Sequence, residues 1–150
     1  MLSFGAVFAR TNPETITTMV QLANNGSGKK AVDVGSGDGR LVIAMAKAGM
    51  ESHGYEINPF LVAHSRFNIK KAGVQGKAFV HWKNFWNVNF SEFDVVTVYG
   101  ISYIMKKLEV KLKKELKPSA RIVSNYFIFS DWQYSQKKGT IYVYNLKAMS

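Results

Sequence analysis

The chain has 150 residues, of which 47% are hydrophobic and 13% aromatic, with 20 Lys and Arg against 10 Asp and Glu, a formal charge of +10 and no cysteine. That is enough length and apolar content for one domain with a real core, and it argues against disorder. The missing cysteines exclude disulfides, thiolate zinc sites and a cysteine nucleophile, and no apolar run reaches the roughly 18 residues that a membrane span needs.

Met1-Leu2-Ser3-Phe4 has neither a basic region nor a full apolar run, so no secretory signal is expected. Pro13 and Glu14, followed by Ile16, Met19, Val20 and Leu22, predict a short amphipathic helix capped by Thr11 or Asn12. Residues 24–28, Asn-Asn-Gly-Ser-Gly, break the chain, and Ala31 to Val34 read as a buried strand. The loop Gly35-Ser36-Gly37-Asp38-Gly39 follows, then a helix over 40–48 ended by Gly49. A second strand is expected over 52–57, a helix from Asn58-Pro59 to about Ala72 with Gly73 as its stop, a third strand over 77–82 and a fourth over 93–99. Residues 102–117 predict a Lys-rich helix with Met105, Leu108, Leu112 and Leu116 on one face, ended by Pro118. A fifth strand is expected from Arg121 to Phe129. The tail reads as a hairpin, 132–136 against 140–145, turning at Lys137-Lys138-Gly139. The alternation predicts an α/β protein, with one open sheet, mostly parallel, and helices on both faces.

Asp33-Val34-Gly35-Ser36-Gly37-Asp38-Gly39 carries the most chemistry. Glycines let a strand-to-helix turn approach a ligand closely, and the helix start offers free N–H groups. Gly-x-Gly-x-Gly departs from the dinucleotide pattern Gly-x-Gly-x-x-Gly. Gly26-Ser27-Gly28-Lys29-Lys30 precedes the strand and lacks P-loop spacing. With an acidic residue two positions before the first glycine, the loop resembles the one that binds S-adenosylmethionine (SAM) in class I methyltransferases. Asp33 and Asp38 would lie near its ammonium and sulfonium and would repel a pyrophosphate. Glu56, 23 residues after Asp33 at the end of the second strand, suits two ribose hydroxyls. Asn84 and Phe85 follow the third strand, where class I enzymes hold adenine by a side-chain oxygen, a backbone N–H and an apolar face; Phe85 or Trp86 could supply that face. Tyr99-Gly100 ends the fourth strand beside the expected methyl group.

One longer stretch is more specific. Ala31 to Ala44, then Gly54-Tyr55-Glu56-Ile57-Asn58-Pro59-Phe60-Leu61-Val62, Ser65-Arg66, Phe85-Trp86, and Phe127-Ile128-Phe129 with Trp132 resemble the ATP-synthase c-subunit lysine methyltransferase-like family of small protein-lysine methyltransferases. The resemblance runs from Thr11 to Tyr144. It implies a Rossmann-like class I methyltransferase fold in which Asp33, Gly35, Ser36, Gly37 and Asp38, with Glu56 and Ile57, bind SAM, yielding S-adenosylhomocysteine. Thr11 and Pro13 match a segment that closes over the cofactor. The family commonly has Asp where this chain has Asn84, which keeps an oxygen for the adenine amine. Mitochondrial members carry an N-terminal targeting extension for which this chain starts too late, so a cytoplasmic enzyme is expected.

Methyl transfer to lysine needs a neutral amine, whose pKa of about 10.4 falls in apolar surroundings and beside a sulfonium, so no dedicated base is required. Tyr99 and Asn125, at the ends of the fourth and fifth strands, are the candidates for orienting the amine, with Phe127, Tyr103 and Trp132 as candidate channel walls. Two alternatives stand beside lysine. One is an RNA or DNA methyltransferase, although the Asn/Asp-Pro-Pro-aromatic motif of many nucleobase amine enzymes is replaced here by Tyr99-Gly100-Ile101-Ser102. The other is a catalytically silent SAM-binding module.

Residues 1–60 are balanced, with five basic and five acidic side chains, so the whole excess lies in 61–150. Residues 66–83 carry five basic and no acidic groups, and 106–121 carry seven basic and two acidic. The helices at 59–72 and 102–117 are expected on opposite faces, which would wrap the charge around a monomer. A solvated shell is the first reading of that charge. Attraction to acidic proteins or an anionic membrane surface is the second, ahead of nucleic acid.

Overall fold

The structure, a computed structural model, describes residues 12–24, 29–99 and 103–146. Local capping starts two of the helices. Helix α1 (Pro13–Ala23) follows Asn12, whose side chain accepts the N–H groups of Glu14 at 2.8 Å and Thr15 at 3.1 Å, with Pro in the first turn. Strand β1 (Lys30–Val34) leads through the glycine loop to α2 (Arg40–Lys47). Strand β2 (Glu51–Glu56) leads to α3 (Pro59–Ala72), where Asn58 Oδ1 accepts from Phe60 at 2.9 Å and Gly73 closes the helix at φ 73°. Strand β3 (Ala78–Trp82), a 3-10 turn (Phe85–Asn87), β4 (Val95–Tyr99), α4 (Met105–Glu115), β5 (Arg121–Asn125), β6 (Gln136–Lys138) and β7 (Ile141–Asn145) complete the order.

Among the described residues, seven strands form one sheet in the order β3-β2-β1-β4-β5-β7-β6. The first five positions are parallel and β7 runs antiparallel between β5 and β6. Alternation along each strand splits the core. Val32, Val34, Val96, Val98 and Ile122 pack with Leu108 and Leu112 of α4 on one face. Ala31, Val95, Val123 and Val143 pack with Met19 and Val20 of α1 and Leu41 and Met45 of α2 on the other. Val62 and Ile69 of α3 join that second side through Val42 of α2 and Val80 of β3. Helices α3 and α4 therefore lie on opposite faces, as expected from the sequence. Among the described residues no helix is long and apolar enough to cross a membrane.

Three of the boundaries that differ from the sequence expectation have a local cause. The fifth strand stops at Asn125 instead of Phe129, because Tyr126 turns to φ 81° and leaves the extended region. The first arm of the hairpin is Gln136–Lys138, not 132–136, with the chain turning at Gly139, φ 60°. Phe93 precedes β4, its N–H donating to the Phe90 carbonyl at 3.1 Å in a turn that buries both rings against each other at 5.7 Å.

Candidate functional site

Chain order reverses between β1 and β4, which are neighbours in the sheet, and open α/β sheets bind ligands at the carboxyl ends of strands around such a point. The sequence candidates gather there. Asp33 of β1 is buried and faces Thr97 of β4 in register. The Thr97 hydroxyl donates to Asp33 Oδ1 at 2.7 Å. Burial pushes the Asp33 carboxyl up to about 7, against the pull of the Thr97 hydroxyl, and the negative charges of Glu56 and Asp38 push it the same way.

The loop is fixed by its own hydrogen bonds. The Ser36 N–H donates to the Tyr55 carbonyl at 3.3 Å and the Gly39 N–H to the Ser36 carbonyl at 3.0 Å. Gly35, Gly37 and Gly39 hold φ of 66°, 58° and 86°, where a side chain would be strained. The Ser36 side chain points into protein: a Cβ added at Gly54 of β2 would stand 2.5 Å from Ser36 Cβ and 2.8 Å from Val42 Cγ2. Ser36 thus seats the loop on β2. Asp38 lies just before α2, accepting from the Arg40 N–H at 3.2 Å and pairing with Arg40 Nε at 2.8 Å.

Glu56 ends β2 and ties strand to loop. Its Oε1 accepts the Gly37 N–H at 2.9 Å and its Oε2 accepts the Asn58 N–H at 3.1 Å. Ile57 is 67% exposed, and its carbonyl accepts Trp82 Nε1 at 3.0 Å. Beyond β3, Asn84 Oδ1 accepts the Trp86 N–H at 3.0 Å and so caps the 3-10 turn. That turn presents Phe85 and Trp86, both half-buried with rings 4.5 Å apart. Lys107 Nζ lies over the Trp86 ring at 4.5 Å.

Tyr99 and Asn125 are register partners across β4 and β5, which puts the two candidate amine-orienting residues side by side at the strand ends. The Thr140 hydroxyl donates to Asn125 Oδ1 at 2.7 Å and holds that amide in place. Thr11 and Gly100 to Ser102 lie outside the described residues. Of the wall candidates, Trp132 is buried against Phe129 and Tyr144 and serves the core, whereas Tyr103 is exposed and Phe127 half-buried.

Sequence reasoning assigned no role to several residues that hold this site. Thr97 interrupts an apolar strand, and Gly54 sits inside another; both are local anomalies that could have marked them. Ser65, whose hydroxyl donates to the Gly37 carbonyl at 2.9 Å, and Asn68, whose amide donates to the Asp38 carbonyl at 3.3 Å, depend on how α3 docks and carry no such mark.

The donor set fits the cofactor expected from the sequence. Asp33, Asp38 and Glu56 supply negative charge, while Arg40 beside them is turned onto Asp38. Nothing lies within 4 Å of where a Cβ of Gly37 would stand, so a ligand can reach the loop backbone. A cation carrying vicinal hydroxyls and a purine suits this arrangement; a pyrophosphate does not.

Comparisons with known proteins agree with this geometry. The family described as ANTKMT methyltransferase domain matches residues 33–136. The ATP-synthase c-subunit lysine N-methyltransferase of Rattus norvegicus is 40% identical over 121 residues, covering 78% of this chain and 56% of that protein. A protein-lysine N-methyltransferase of Saccharolobus islandicus is 35% identical over 127 residues, covering 83% of this chain and 79% of that one. Among solved structures, an RNA methyltransferase from Salinibacter ruber in complex with S-adenosyl-L-homocysteine is 30% identical, with a TM-score of 0.86 over 91% of this chain and 92% of the other. The chain spans about half the length of the rat and mouse relatives, 56% and 49%.

Proposed function

The chain belongs to the ANTKMT methyltransferase domain family, and from that membership we propose that it is a SAM-dependent protein-lysine N-methyltransferase. The observation that carries this reading is the anionic loop from Asp33 to Asp38, tied by Gly37 to Glu56 at 2.9 Å, at the switch point of the sheet. Glu56 would hold the ribose hydroxyls, Asp33 and Asp38 would face the positive end, and Ile57, Phe85 and the Asn84 turn would hold the adenine. When bound, SAM supplies a methyl group on a cationic sulfur that leaves as a neutral thioether.

The chain's residues then position, desolvate and exclude water. Tyr99 and Asn125 orient the acceptor nitrogen, whose lone pair forms the new bond to carbon and which gives up its proton to solvent. Asn125 is suited to this because Thr140 fixes its amide. The test is incubation with labelled SAM and cell lysates, with mass spectrometry of the labelled residues. Labelled lysines are expected; lysates of varied origin that take up no label on protein overturn the reading.

Two observations favour a second reading, methylation of RNA: the Salinibacter neighbour is named as an RNA methyltransferase, and this chain carries a +10 charge. Loss of label after nuclease, with protein unlabelled, would establish it. The protein substrates are read as acidic or as lying at an anionic membrane surface, since a basic shell repels basic ones. Such attraction predicts labelling that weakens steeply with added salt. The enzyme is read as a cytoplasmic monomer, to be checked by light scattering and fractionation.

A further inference from the structure

Among the described residues, seven glycines hold a positive φ, and one other residue joins them: Tyr126, at φ 81°. A bulky side chain there crowds its own backbone. Neighbouring bonds impose the conformation. The Tyr126 N–H donates to the Thr140 carbonyl at 2.6 Å, and the Thr140 hydroxyl donates to Asn125 Oδ1 at 2.7 Å. The Ser124 hydroxyl donates to the Phe127 carbonyl at 2.6 Å. Yet the ring does little for the fold, being 62% exposed with the Phe127 ring 5.9 Å away. Glycine would take this backbone without strain, so packing does not account for a tyrosine.

Strained residues gather at ligand sites, where the surroundings over-determine them. Tyr126 immediately follows Asn125, the register partner of Tyr99, at the carboxyl end of β5. We infer that Tyr126 is a substrate-binding residue, an exposed aromatic wall on which the alkylamine chain of the acceptor lies before transfer. An aromatic face takes both the aliphatic stem and the positive head of such a chain. The inference rests on the lysine reading above and deepens it.

The test uses Tyr126→Gly, Tyr126→Ala and Tyr126→Phe in the full chain. Binding of butylamine, a lysine side-chain mimic, is measured by NMR in the presence of S-adenosylhomocysteine, alongside S-adenosylhomocysteine affinity, thermal melting and labelling of lysate proteins. Loss of the ring should weaken butylamine binding by roughly five-fold or more in the Gly and Ala variants, with Phe close to wild type. S-adenosylhomocysteine affinity should stay unchanged in all three. Tyr126→Gly should melt at or above the wild-type temperature, since it sheds strain, and Tyr126→Ala close to it, since it keeps the strained backbone and loses only an exposed ring. Equal butylamine binding in wild type and Tyr126→Gly overturns the inference, as does a wild type that takes up none. So does a Gly variant melting well below wild type, which would make the tyrosine structural. If wild type labels no lysine while butylamine binding still depends on the ring, the aromatic wall stands and the lysine reading falls.

Discussion

The Thr97 hydroxyl donates to Asp33 Oδ1 at 2.7 Å across the β1–β4 junction, inside protein that admits little water. The bond opposes burial without cancelling it, and the Asp33 carboxyl is pushed up to about 7 from 3.8. The native state then holds a proton that the unfolded chain has lost between those two values. Asp33 therefore favours the fold least above about pH 7, and its contribution falls as pH rises through the window from about 4 to 7. From pH 5 to pH 8 the wild type should lose about 2 to 3 kcal/mol relative to Asp33→Asn, read from urea melts at each pH. A cationic ligand reverses the preference by favouring the carboxylate. S-adenosylhomocysteine binding, through its ammonium, should tighten from pH 5.5 to 7.5 with release of a proton (roughly the window set by that pKa). Calorimetry in two buffers of different ionisation enthalpy would show that release, and Asp33→Asn should abolish it.

Glu56 joins the loop to the strand end through Gly37 and Asn58. Its oxygens retain capacity to accept further bonds, which the ribose hydroxyls would take up. Glu56→Gln keeps size but exchanges one acceptor for a donor and removes the charge. S-adenosylhomocysteine affinity should fall by about ten- to a hundred-fold, the loss of one or two charge-assisted bonds. Stability should change by less than about 1 kcal/mol, because the site is half-exposed and water can replace the lost partners. Calorimetry and a denaturant melt on the same sample check both parts.

Whatever depends on neighbouring residues could be read from the sequence. Asn58-Pro59 marked the start of α3 and Gly73 its end, because the cap bonds and the left-handed turn are local chemistry. Asp33, Gly37 and Glu56 stand out by a motif instead: an acidic residue two positions before Gly-x-Gly-x-Gly, and a carboxylate 23 residues after it at the end of the second strand. Contacts set by register were not legible. Nothing around Tyr126 announces φ 81°, since Thr140, fourteen residues on, imposes it from β7's side. The sequence assigns the Asn84 oxygen to adenine; in the structure that oxygen caps the turn carrying Phe85 and Trp86. The place of Ser36 beneath Gly54 follows from how β1 and β2 align, which no single segment encodes.

Gly54 lets the loop settle onto β2. An added Cβ meets Ser36 Cβ at 2.5 Å, Ser36 Oγ at 2.7 Å and Val42 Cγ2 at 2.8 Å, all closer than van der Waals contact. Gly54→Ala should cost about 1 to 3 kcal/mol, the usual range for overpacking. It should also weaken S-adenosylhomocysteine binding, because the displaced Ser36 carries Gly37 and the bond to Glu56 with it. Ser36→Gly in the same chain removes two of the three clashes, so the double variant should recover part of both losses. A double-mutant cycle in urea, with calorimetry beside it, tests the coupling; independent, additive effects would contradict the packing argument.

His81 acts in the opposite direction to Asp33. His53 Nδ1 and His81 Nε2 lie 2.9 Å apart across β2 and β3, with His53 Nε2 also 2.7 Å from Glu51. The imidazoles share one proton along that line, so the bond needs an unprotonated nitrogen. Burial holds the His81 pKa below 6.5, helped by the nearby charges of His53, Arg66 and Lys83. The unfolded chain then binds more protons than the fold around and below pH 6.5, and stability contributed here is present above that value and lost as pH falls. Replacing His81 by Gln removes the titration while keeping a polar side chain beside His53. Below pH 6.5 that variant should lose less stability on acidification than the wild type, whereas Asp33→Asn should steepen the rise of stability with pH over 4 to 7. Over that interval the slopes contributed by Asp33 and His81 oppose one another, and melts of both single variants and the double variant separate them. A wild type and a His81→Gln variant with parallel pH profiles below 6.5 would show that His81 does not titrate as argued.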